Sequence, residues 1–341
     1  MINAAIVGLG WWGKTLVESL ADGSDAMRFV ALTTRTVSPD VEAFAKQYKL
    51  RLDASYEAVL ADPKIDAVVL ATPPSGHVQQ IVAAAAAGKH VFCEKPFTFS
   101  KADAETAVNA VLKAKRTLGV GYNRRFHPEM MKLRERIRAG DLGVVQHVEC
   151  NMTFPNALFL KPTAWRAMKN EAPVGGLAPL GVHAVDAMID LCGEFDHVYC
   201  QSFKRVLQGE TDDTSSMLFR MKAGMSGYLG TVTTTGPGFS IQVFGSKGWL
   251  RLEGVTHVAG ASSEERRTRL FGACKFQPLK GPMEVWEAEK LDIIHTCFEA
   301  FAAAAQGGPA FPITPDQIVH GASASEAIIR SAASGKVEAI H

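Results

Sequence analysis

The chain has 341 residues, of which 47% are hydrophobic and 21% charged, and its formal net charge is +1. This composition is ordinary for a globular protein and excludes a disordered or collagen-like chain. At about 150 residues per domain, the length predicts two domains. The balanced charge, without a long basic run, argues against nucleic acid as a partner.

Residues 81–87 form the longest uninterrupted apolar run, which is too short to span a bilayer. The N-terminus opens directly into a strand and a glycine-rich turn, so no signal peptide is expected. None of the six cysteines forms a CxxC pair. We therefore predict a cytoplasmic protein with reduced thiols and no membrane partner.

The first 120 residues alternate predicted strands with predicted helices. Strands are predicted at 4–7, 29–33, 65–71, 90–93 and 119–122, and helices at 14–21, 41–48, 56–61, 77–87 and after a cap at Ser100. The strands are almost uniformly apolar, as in a parallel sheet that is covered on both faces. Repeated units of this kind predict an α/β domain over residues 1–122.

After residue 122 the pattern changes. A helix at 128–139 precedes strand-like runs at 144–153, 198–203, 215–221, 225–234, 240–245 and 248–253, with helices at 183–191, 291–305 and 315–334. Several runs alternate apolar and polar residues, which indicates an antiparallel sheet with one open face. Residues 123–341 are therefore predicted to form a second domain, of the α+β class.

A glycine motif, GxGxxG, directly follows the first predicted strand. Gly8 allows a tight turn, Gly10 lets the backbone approach a pyrophosphate, and Gly13 lets the next helix pack closely. The free N–H groups at the start of that helix attract phosphates. At least one of Trp11 and Trp12 is expected over the cofactor or the substrate mouth, with simple packing as the equal alternative. The motif predicts a dinucleotide site.

The end of the second predicted strand bears on the choice of dinucleotide. An NAD site usually has a carboxylate about 20 residues beyond the glycines, where it bonds the ribose 2′-hydroxyl. Residues 33–35 hold none. Thr34 does not repel a phosphate, and Arg35 can pair with a 2′-phosphate. The sequence favours NADP over NAD; alternatively, Arg35 is a solvated residue and either dinucleotide binds.

Lys95 follows another predicted strand, at the carboxyl edge of the sheet, where ligands bind in open α/β folds. Its neighbours Glu94 and Pro96 can fix its direction. A surface role explains a lysine at this edge poorly, so Lys95 is a candidate for chemistry.

Together these motifs resemble the glucose–fructose oxidoreductase / inositol dehydrogenase / rhizopine-catabolism (Gfo/Idh/MocA) family. The resemblance covers nearly the whole chain, and the order and spacing of the motifs make it specific. The motifs are the glycine turn, Thr72-Pro73-Pro74 with His77, Gly88-Lys89-His90-Val91 leading to Glu94-Lys95-Pro96, residues 122–128, Trp165-Arg166, Gly175-Gly176, residues 181–186, Asp213 and residues 245–248.

The resemblance implies an N-terminal Rossmann domain and a C-terminal domain with a large, mostly antiparallel open sheet. It implies NAD(P)-dependent hydride transfer between nicotinamide and a hydroxyl carbon of a sugar, polyol or related cyclic alcohol. Lys95 matches the family's acid/base lysine and His183 its substrate-side histidine; a plain helix-start histidine is the alternative for His183. The expected cofactor-binding residues are Gly8, Gly10, Trp11, Trp12, Gly13, Thr34, Arg35, Thr72, Pro73, His77, Glu94 and Lys95.

The expected substrate-binding residues are Asn123, Arg124, Trp165, Arg166 and His183. Trp165 and Arg166 can stack on and bond a sugar-like ring. Arg125 and Asp213 are expected in structural ion pairs instead. The sequence shows no metal-ligand spacing, and hydride transfer requires no metal, so no metal site is predicted.

Pro179 departs from the family pattern. Many polyol dehydrogenases of the family carry an aspartate four residues before the histidine, where this chain has the proline. The usual Lys–Asp–His triad is thus reduced to Lys95 and His183, since Asp186 lies one helical turn beyond the histidine. The departure argues against an inositol-type substrate and leaves cyclic dihydrodiols, anhydrosugars and sugar-acid derivatives open.

Two alternatives to a simple dehydrogenase remain. One is an enzyme that breaks a glycosidic bond by transient oxidation and recycles its dinucleotide. The other is a non-catalytic dinucleotide sensor, against which the retained Lys95 and His183 argue. Because the open face of the sheet would leave apolar residues exposed to water, a homodimer or homotetramer through that sheet is predicted.

Overall fold

The computed structural model describes residues 1–161, 163–255, 261–268 and 271–341. The chain folds into two compact units. The first comprises Met1–Asn123 and Asp292–Val319, and the second comprises Arg124–Leu291 and His320–His341. The sequence pattern assigns all residues after 122 to the second domain, whereas residues 292–319 belong to the first unit.

The first unit is built on a parallel sheet. Its strands are β1 (Ile2–Val7), β2 (Met27–Thr33), β3 (Arg51–Leu52), β4 (Ala67–Leu70), β5 (His90–Cys93) and β6 (Leu118–Val120); the helices among them are α1 (Trp11–Glu18), α2 (Pro39–Gln47), α3 (Tyr56–Ala61), α4 (His77–Ala86) and α5 (Lys101–Lys113). The strand order is β3-β2-β1-β4-β5-β6, and the paired strands run parallel. This doubly wound order confirms the predicted α/β Rossmann class. The order in which strands are added to the sheet reverses between β1 and β4.

The second unit is built on a larger, mostly antiparallel sheet. Its strands are β7 (Val145–Thr153), β8 (Phe195–Phe203), β9 (Thr214–Met221), β10 (Ser226–Val232), β11 (Gly238–Gly245), β12 (Gly248–Gly254), β13 (Phe271–Pro278), β14 (Glu284–Glu287) and β15 (Glu338–Ala339). The helices along the rest of the chain are α6 (Pro128–Ala139), α7 (Val182–Cys192), α8 (Ser263–Thr268), α9 (Ile293–Ala305) and α10 (Pro315–Ser334). The strand order is β14-β13-β12-β11-β7-β10-β9-β8-β15, in which β7 and β10 pair in parallel. The predicted class of this region is confirmed.

The large sheet has one buried face and one partly exposed face. Along β7, Val148, Cys150 and Met152 are buried, whereas the residues that alternate with them are not. On β9, Leu218 is 55% exposed although it is apolar. This alternation follows from the two-residue period of a strand and gives the open face that the sequence pattern indicates.

Helix α9 belongs to the first unit because its aromatic side chains pack on the parallel sheet. The ring centroids of Phe298 and Phe301 lie 4.9 and 5.5 Å from that of Phe92 on β5. A Cβ on Gly119 of β6 would come within 2.8 Å of both Phe92 and Phe301, so the glycine makes room for these rings. Burying several aromatic rings favours this packing over independent folding of the segment.

Among the helices of the described ranges, none combines the length and the apolar character needed to cross a bilayer. All six cysteines are buried. Burial raises the pKa of Cys150 and of Cys192 to about 12, so both thiols stay protonated at neutral pH. These two cysteines therefore act as small core residues rather than as nucleophiles.

Candidate active-site residues in the two units

Four turns of the first unit follow the carboxyl ends of β1, β2, β4 and β5. They carry most of the sequence-predicted cofactor residues, at 8–13, 34–35, 72–73 and 94–95. Because parallel strands end at the same edge of a sheet, the topology brings these turns together beside the reversal point between β1 and β4. Ligands of open α/β sheets bind at this place.

The glycine turn after β1 leaves a space next to its backbone. Gly8 has a φ of +94°, and a Cβ there would lie 2.7 Å from the carbonyl oxygen of Ala71. A Cβ on Gly13 would lie 2.2 Å from the carbonyl oxygen of Gly8, so α1 packs directly on the turn. At Gly10, by contrast, a Cβ would meet no described atom within 4 Å. A pyrophosphate fits this open backbone at the N-terminus of α1.

Trp11 and Trp12 occupy the first two positions of α1. Their rings meet edge to face, with centroids 5.3 Å and planes 68° apart. Trp11 is 49% exposed, whereas Trp12 is half-buried. The hydroxyl of Thr15 donates to the carbonyl oxygen of Trp11 at 3.1 Å, which ties that residue into the helix. Of the two rings, Trp11 is the one presented at the surface beside the glycine turn.

The turn after β2 carries the residues expected to read the ribose. Thr34 is half-buried and Arg35 is exposed. Helix α2 follows, and its first carboxylate, Asp40, forms a salt bridge with Lys14 of α1. The nearest acidic side chain after Thr34 is thus already paired with a cation.

His77 begins α4 and is fully buried. Its Nδ1 lies 2.9 and 3.1 Å from the carbonyl oxygens of Pro96 and Phe97, and its Nε2 lies 3.0 Å from that of Thr72. The hydroxyl of Thr72 in turn donates to Oε1 of Gln80 at 2.6 Å. His77 therefore contacts the backbone of two neighbouring turns rather than presenting its ring to solvent.

Lys95 follows β5 in a turn that contains a cis peptide bond to Pro96. Glu94 is buried, and its Oε2 accepts a hydrogen bond from the N–H of Lys95 at 3.2 Å. A Cβ on Gly121 would lie 2.6 Å from Oε1 of Glu94, so this glycine, which the sequence analysis did not single out, makes room for the carboxylate. Glu94 thereby fixes the backbone that carries the half-buried Lys95.

His183 lies in the first turn of α7, in the second unit, and is 5% exposed. A π-helix, Leu177–Gly181, precedes α7, and in it the carbonyl of Gly176 accepts from the N–H of Gly181 at 2.9 Å. Pro179 is half-buried, while the other four residues of the π-helix are buried. Such helices are rare and occur frequently at functional sites. No sequence pattern indicated this one.

The turn before the π-helix has an unusual backbone. Val174 and Gly175 have φ values of +53° and +51°, a region that β-branched residues rarely adopt. A Cβ on Gly175 would lie 2.2 Å from the carbonyl oxygen of Asp212. The hydroxyl of Ser215 on β9 donates to the carbonyl of Val174 at 3.1 Å. Contacts from Ser215 on β9 and from Asp212, just before that strand, thus hold the segment that leads to His183.

Asp213 is held by the backbone rather than by the ion pair that the sequence analysis expects. Its buried carboxylate accepts from the N–H groups of Val206 and Leu207 at 2.7 and 2.9 Å and from the hydroxyl of Thr214 at 2.9 Å. Burial alone would raise the pKa of Asp213, but these hydrogen bonds outweigh it and lower the pKa. Asp213 organises the loop before β9.

Arg125 lies in the buried ion pair that the sequence analysis expects. Its Nη2 and Nε bond the two carboxylate oxygens of Asp186 at 2.6 and 2.8 Å. Asp190, one turn further along α7, joins Arg125 to Arg134. Asp186 therefore anchors α7 through this ion pair.

The remaining predicted substrate residues lie on separate elements. Asn123 belongs to the first unit and Arg124 to the second, and both are 5% exposed. The guanidinium of Arg124 lies 5.5 Å from the ring centroid of Phe239. Arg166 stacks on Trp165 at 4.1 Å, and burial lowers the pKa of Arg166 to about 10. Across the described ranges, no group of three or more His, Cys, Asp or Glu side chains is placed to hold a metal ion.

Comparison with known proteins defines the class. The model of an oxidoreductase family with an NAD-binding Rossmann fold, Gfo/Idh/MocA, matches residues 2–122. The model of the Gfo/Idh/MocA C-terminal domain matches residues 130–251. Together the two matches span most of the chain. The chain belongs to the Gfo/Idh/MocA family of oxidoreductases, which confirms the resemblance seen in the sequence.

Individual relatives match over different lengths. The myo-inositol 2-dehydrogenase of Thermotoga maritima is 25% identical over 281 residues, 79% of this chain and 80% of that protein. The uncharacterized oxidoreductase YrbE of Bacillus subtilis is 35% identical over 143 residues, 42% of this chain and only 41% of that protein. A putative NADPH-dependent oxidoreductase from Desulfitobacterium hafniense has the same fold, with a TM-score of 0.89, 24% identity and coverage of 99% and 97% of the two chains.

Proposed function

We propose that this chain transfers a hydride between a nicotinamide dinucleotide and a hydroxyl carbon of a sugar, polyol or related cyclic alcohol. When bound, the dinucleotide supplies the hydride donor or acceptor. The observation that carries the proposal is the shared sheet edge, where the open backbone at Gly10 and the turn of Lys95 follow strands of one parallel sheet. Membership of an oxidoreductase family supports it.

Lys95 is the acid/base in this proposal. Oxidation of an alcohol requires a group that takes the hydroxyl proton, and reduction requires the same group to return it. An amine can do both. The hydrogen bond from the N–H of Lys95 to Glu94 fixes the backbone from which the lysine side chain extends. His183 assists by a hydrogen bond to the reacting hydroxyl, which an imidazole nitrogen can accept or donate.

NADP is the preferred dinucleotide in this proposal. The exposed Arg35 can form a charge-assisted pair with a 2′-phosphate. Residues 33–35 hold no carboxylate that would repel that phosphate, and Asp40 is neutralised by Lys14. An NAD preference, measured as a lower KM for NAD+ than for NADP+, would contradict this assignment.

Pro179 narrows the range of candidate substrates. The relative from Thermotoga maritima acts on myo-inositol, by its name. In this chain Pro179 presents neither a carboxylate nor an N–H from the π-helix. A ring with fewer hydroxyls to anchor therefore fits better than an inositol, which makes a cyclic dihydrodiol or anhydrosugar dehydrogenase the second candidate.

The decisive experiment measures NADP+ and NAD+ reduction against sugars, polyols, anhydrosugars and cyclic diols. We expect turnover of NADP+ with at least one panel member. Lys95→Ala should lower kcat by about 10²- to 10⁴-fold and His183→Asn by less, since general acid/base groups contribute about this much. Dinucleotide affinity should stay within about twofold in both, because uncharged replacements leave the glycine turn intact. Lys113→Ala, on the exposed side of α5, is the matched control.

Three outcomes would contradict the proposal. Tight dinucleotide binding with no turnover anywhere in the panel favours the sensor. Full turnover by Lys95→Ala removes the acid/base role. Glycoside cleavage with a permanently bound dinucleotide and no net reduction favours the recycling enzyme.

We also propose that the open face of the large sheet joins copies of this chain into a homodimer or homotetramer. Leu218 on β9 and Phe203 on β8 are 55% and 50% exposed on that face. Light scattering at micromolar protein should give a multiple of the chain mass, and Leu218→Arg should reduce it to one. Leu112→Arg, at an exposed apolar site on α5, should change nothing. A monomeric wild type would contradict the proposal.

A further inference from the structure

His77 stands among backbone carbonyl groups on both sides of its ring. Nδ1 lies 2.9 Å from the carbonyl oxygen of Pro96 and 3.1 Å from that of Phe97. On the opposite side, Nε2 lies 3.0 Å from the carbonyl oxygen of Thr72. The residue is fully buried.

A carbonyl oxygen only accepts hydrogen bonds, and a neutral imidazole carries a proton on one nitrogen alone. A neutral His77 would thus donate to one side and set a lone pair against an oxygen on the other. Only a ring with a proton on each nitrogen donates to both turns at once. Donation to both turns by this ring therefore requires a proton on each nitrogen.

These contacts bracket Lys95. On its N-terminal side, Glu94 accepts from the N–H of Lys95 at 3.2 Å. On its C-terminal side, His77 contacts the next two carbonyls, those of Pro96 and Phe97. On the opposite side of the ring, Nε2 contacts the carbonyl oxygen of Thr72 in the turn after β4. One side chain therefore ties the backbone of the candidate acid/base to a neighbouring strand end.

We propose that His77 is a positioning residue for Lys95, and that it acts by donating from both ring nitrogens to the turns after β4 and β5. The inference rests on the proposed role of Lys95. It gives His77 a function distinct from the dinucleotide contact that the sequence analysis expects. A displacement of about 1 Å in a reacting group can cost about 100-fold in rate, so loosening this turn should be visible in kcat.

A double-mutant cycle separates positioning from general support of the fold. His77→Ala should lower kcat by about 100-fold, with His77→Gln in between because its amide can donate to one side only. In the Lys95→Ala background, His77→Ala should change the residual kcat by less than about threefold, since residues that act as a unit are not additive. His320→Gln is the matched control: that histidine is also buried and its Nε2 accepts from the N–H of Phe195 at 2.9 Å. It should lower stability without lowering kcat.

A second measurement needs no substrate. The ¹⁵N chemical shifts of the His77 ring at neutral pH should report a proton on each nitrogen, and the shifts of His320 should report a neutral ring. A neutral tautomer of His77 would overturn the two-sided bond.

The outcomes distinguish the two proposals. Full turnover by Lys95→Ala overturns both of them. Loss of turnover in Lys95→Ala together with an unchanged kcat in His77→Ala overturns the positioning role alone. An equal loss from His77→Ala in both backgrounds also overturns it, because the histidine would then act independently of the lysine.

Discussion

The edge of the parallel sheet and the turn before α7 hold their candidate residues in different ways. At the sheet edge, regular strands end in short turns, and glycines at 8, 13 and 121 leave no room for added atoms. Before α7, a β-branched residue in the left-handed region and a π-helix lead to His183. Such backbone persists only where neighbouring groups over-determine it. The first region should therefore be sensitive to added atoms, and the second, where Gly175 also leaves no room for a Cβ, to lost contacts as well.

The largest effect is expected from one added carbon at the sheet edge. Gly13→Ala would place a Cβ 2.2 Å from the carbonyl oxygen of Gly8, which forces α1 away from the turn. We expect dinucleotide affinity to fall by up to about 150-fold and the melting temperature to drop, because overpacking typically costs about 1–3 kcal/mol, which corresponds to about 5- to 150-fold. Fluorescence titration and calorimetry measure the two changes.

Gly10→Ala separates those two effects. Its φ is −74° and a Cβ there would meet no described atom within 4 Å, so stability should not change. Affinity should fall nevertheless, because the added methyl occupies the space proposed for the pyrophosphate. Unchanged affinity in Gly10→Ala would move the dinucleotide away from this turn.

A lost contact tests the second region. Ser215→Ala removes the hydroxyl that donates to the carbonyl of Val174 at 3.1 Å. We expect kcat to fall about tenfold, since the chain leading to His183 loosens, while dinucleotide affinity stays unchanged. The loss of one buried hydrogen bond should also cost about 1 kcal/mol of stability.

Ser331→Ala is the control for that loss. Ser331 is as buried as Ser215, and its hydroxyl accepts from the N–H of Cys200 on β8 at 2.8 Å. It should show a similar loss of stability with an unchanged kcat. If both variants lose kcat equally, the left-handed turn has no special part in activity.

Arg35 tests the exposed part of the sheet edge. Because no fold contact is expected of this exposed side chain, Arg35→Ala should leave stability and the NAD+ kinetics unchanged. The KM for NADP+ should rise about fivefold, the value of an exposed ion pair of about 1 kcal/mol. An equal rise for both dinucleotides would show that Arg35 does not read the 2′-phosphate.

The sheet edge and the turn before α7 also differ in how far the sequence could predict them. The apolar runs of β1, β4 and β5 and the glycines beside them follow local rules, so both the parallel sheet and the residues at its edge could be predicted. The backbone at Val174 could not, because a valine locally favours an extended strand, whereas contacts from the distant residues Asp212 and Ser215 help to hold it otherwise. Helix α9 was predictable as a helix but not as part of the first unit, since its rings pack on Phe92, about 200 residues earlier in the chain.

The remaining effect concerns stability alone. His127 caps α6: its Nδ1 accepts from the N–H of Glu129 at 3.3 Å, and burial lowers the pKa of His127 to about 4. A proton on Nδ1 would destroy this acceptor, so the folded state disfavours the charged ring, while the unfolded chain protonates near its ordinary pKa of 6.5. Stability should therefore be level above pH 6.5 and fall towards pH 4, by at most about 1.4 kcal/mol per pH unit.

His127→Asn isolates that contribution, because an asparagine also caps a helix but does not titrate. Chemical denaturation at pH 5 and pH 7.5 should show a smaller difference in unfolding free energy for His127→Asn than for the wild type. Glu129, whose charge opposes the shift in the pKa of His127, is kept in both proteins, so the difference between them reports the histidine alone. An identical pH dependence in the two proteins would mean that the buried ring keeps its cap when protonated, for instance by turning its other nitrogen to the helix.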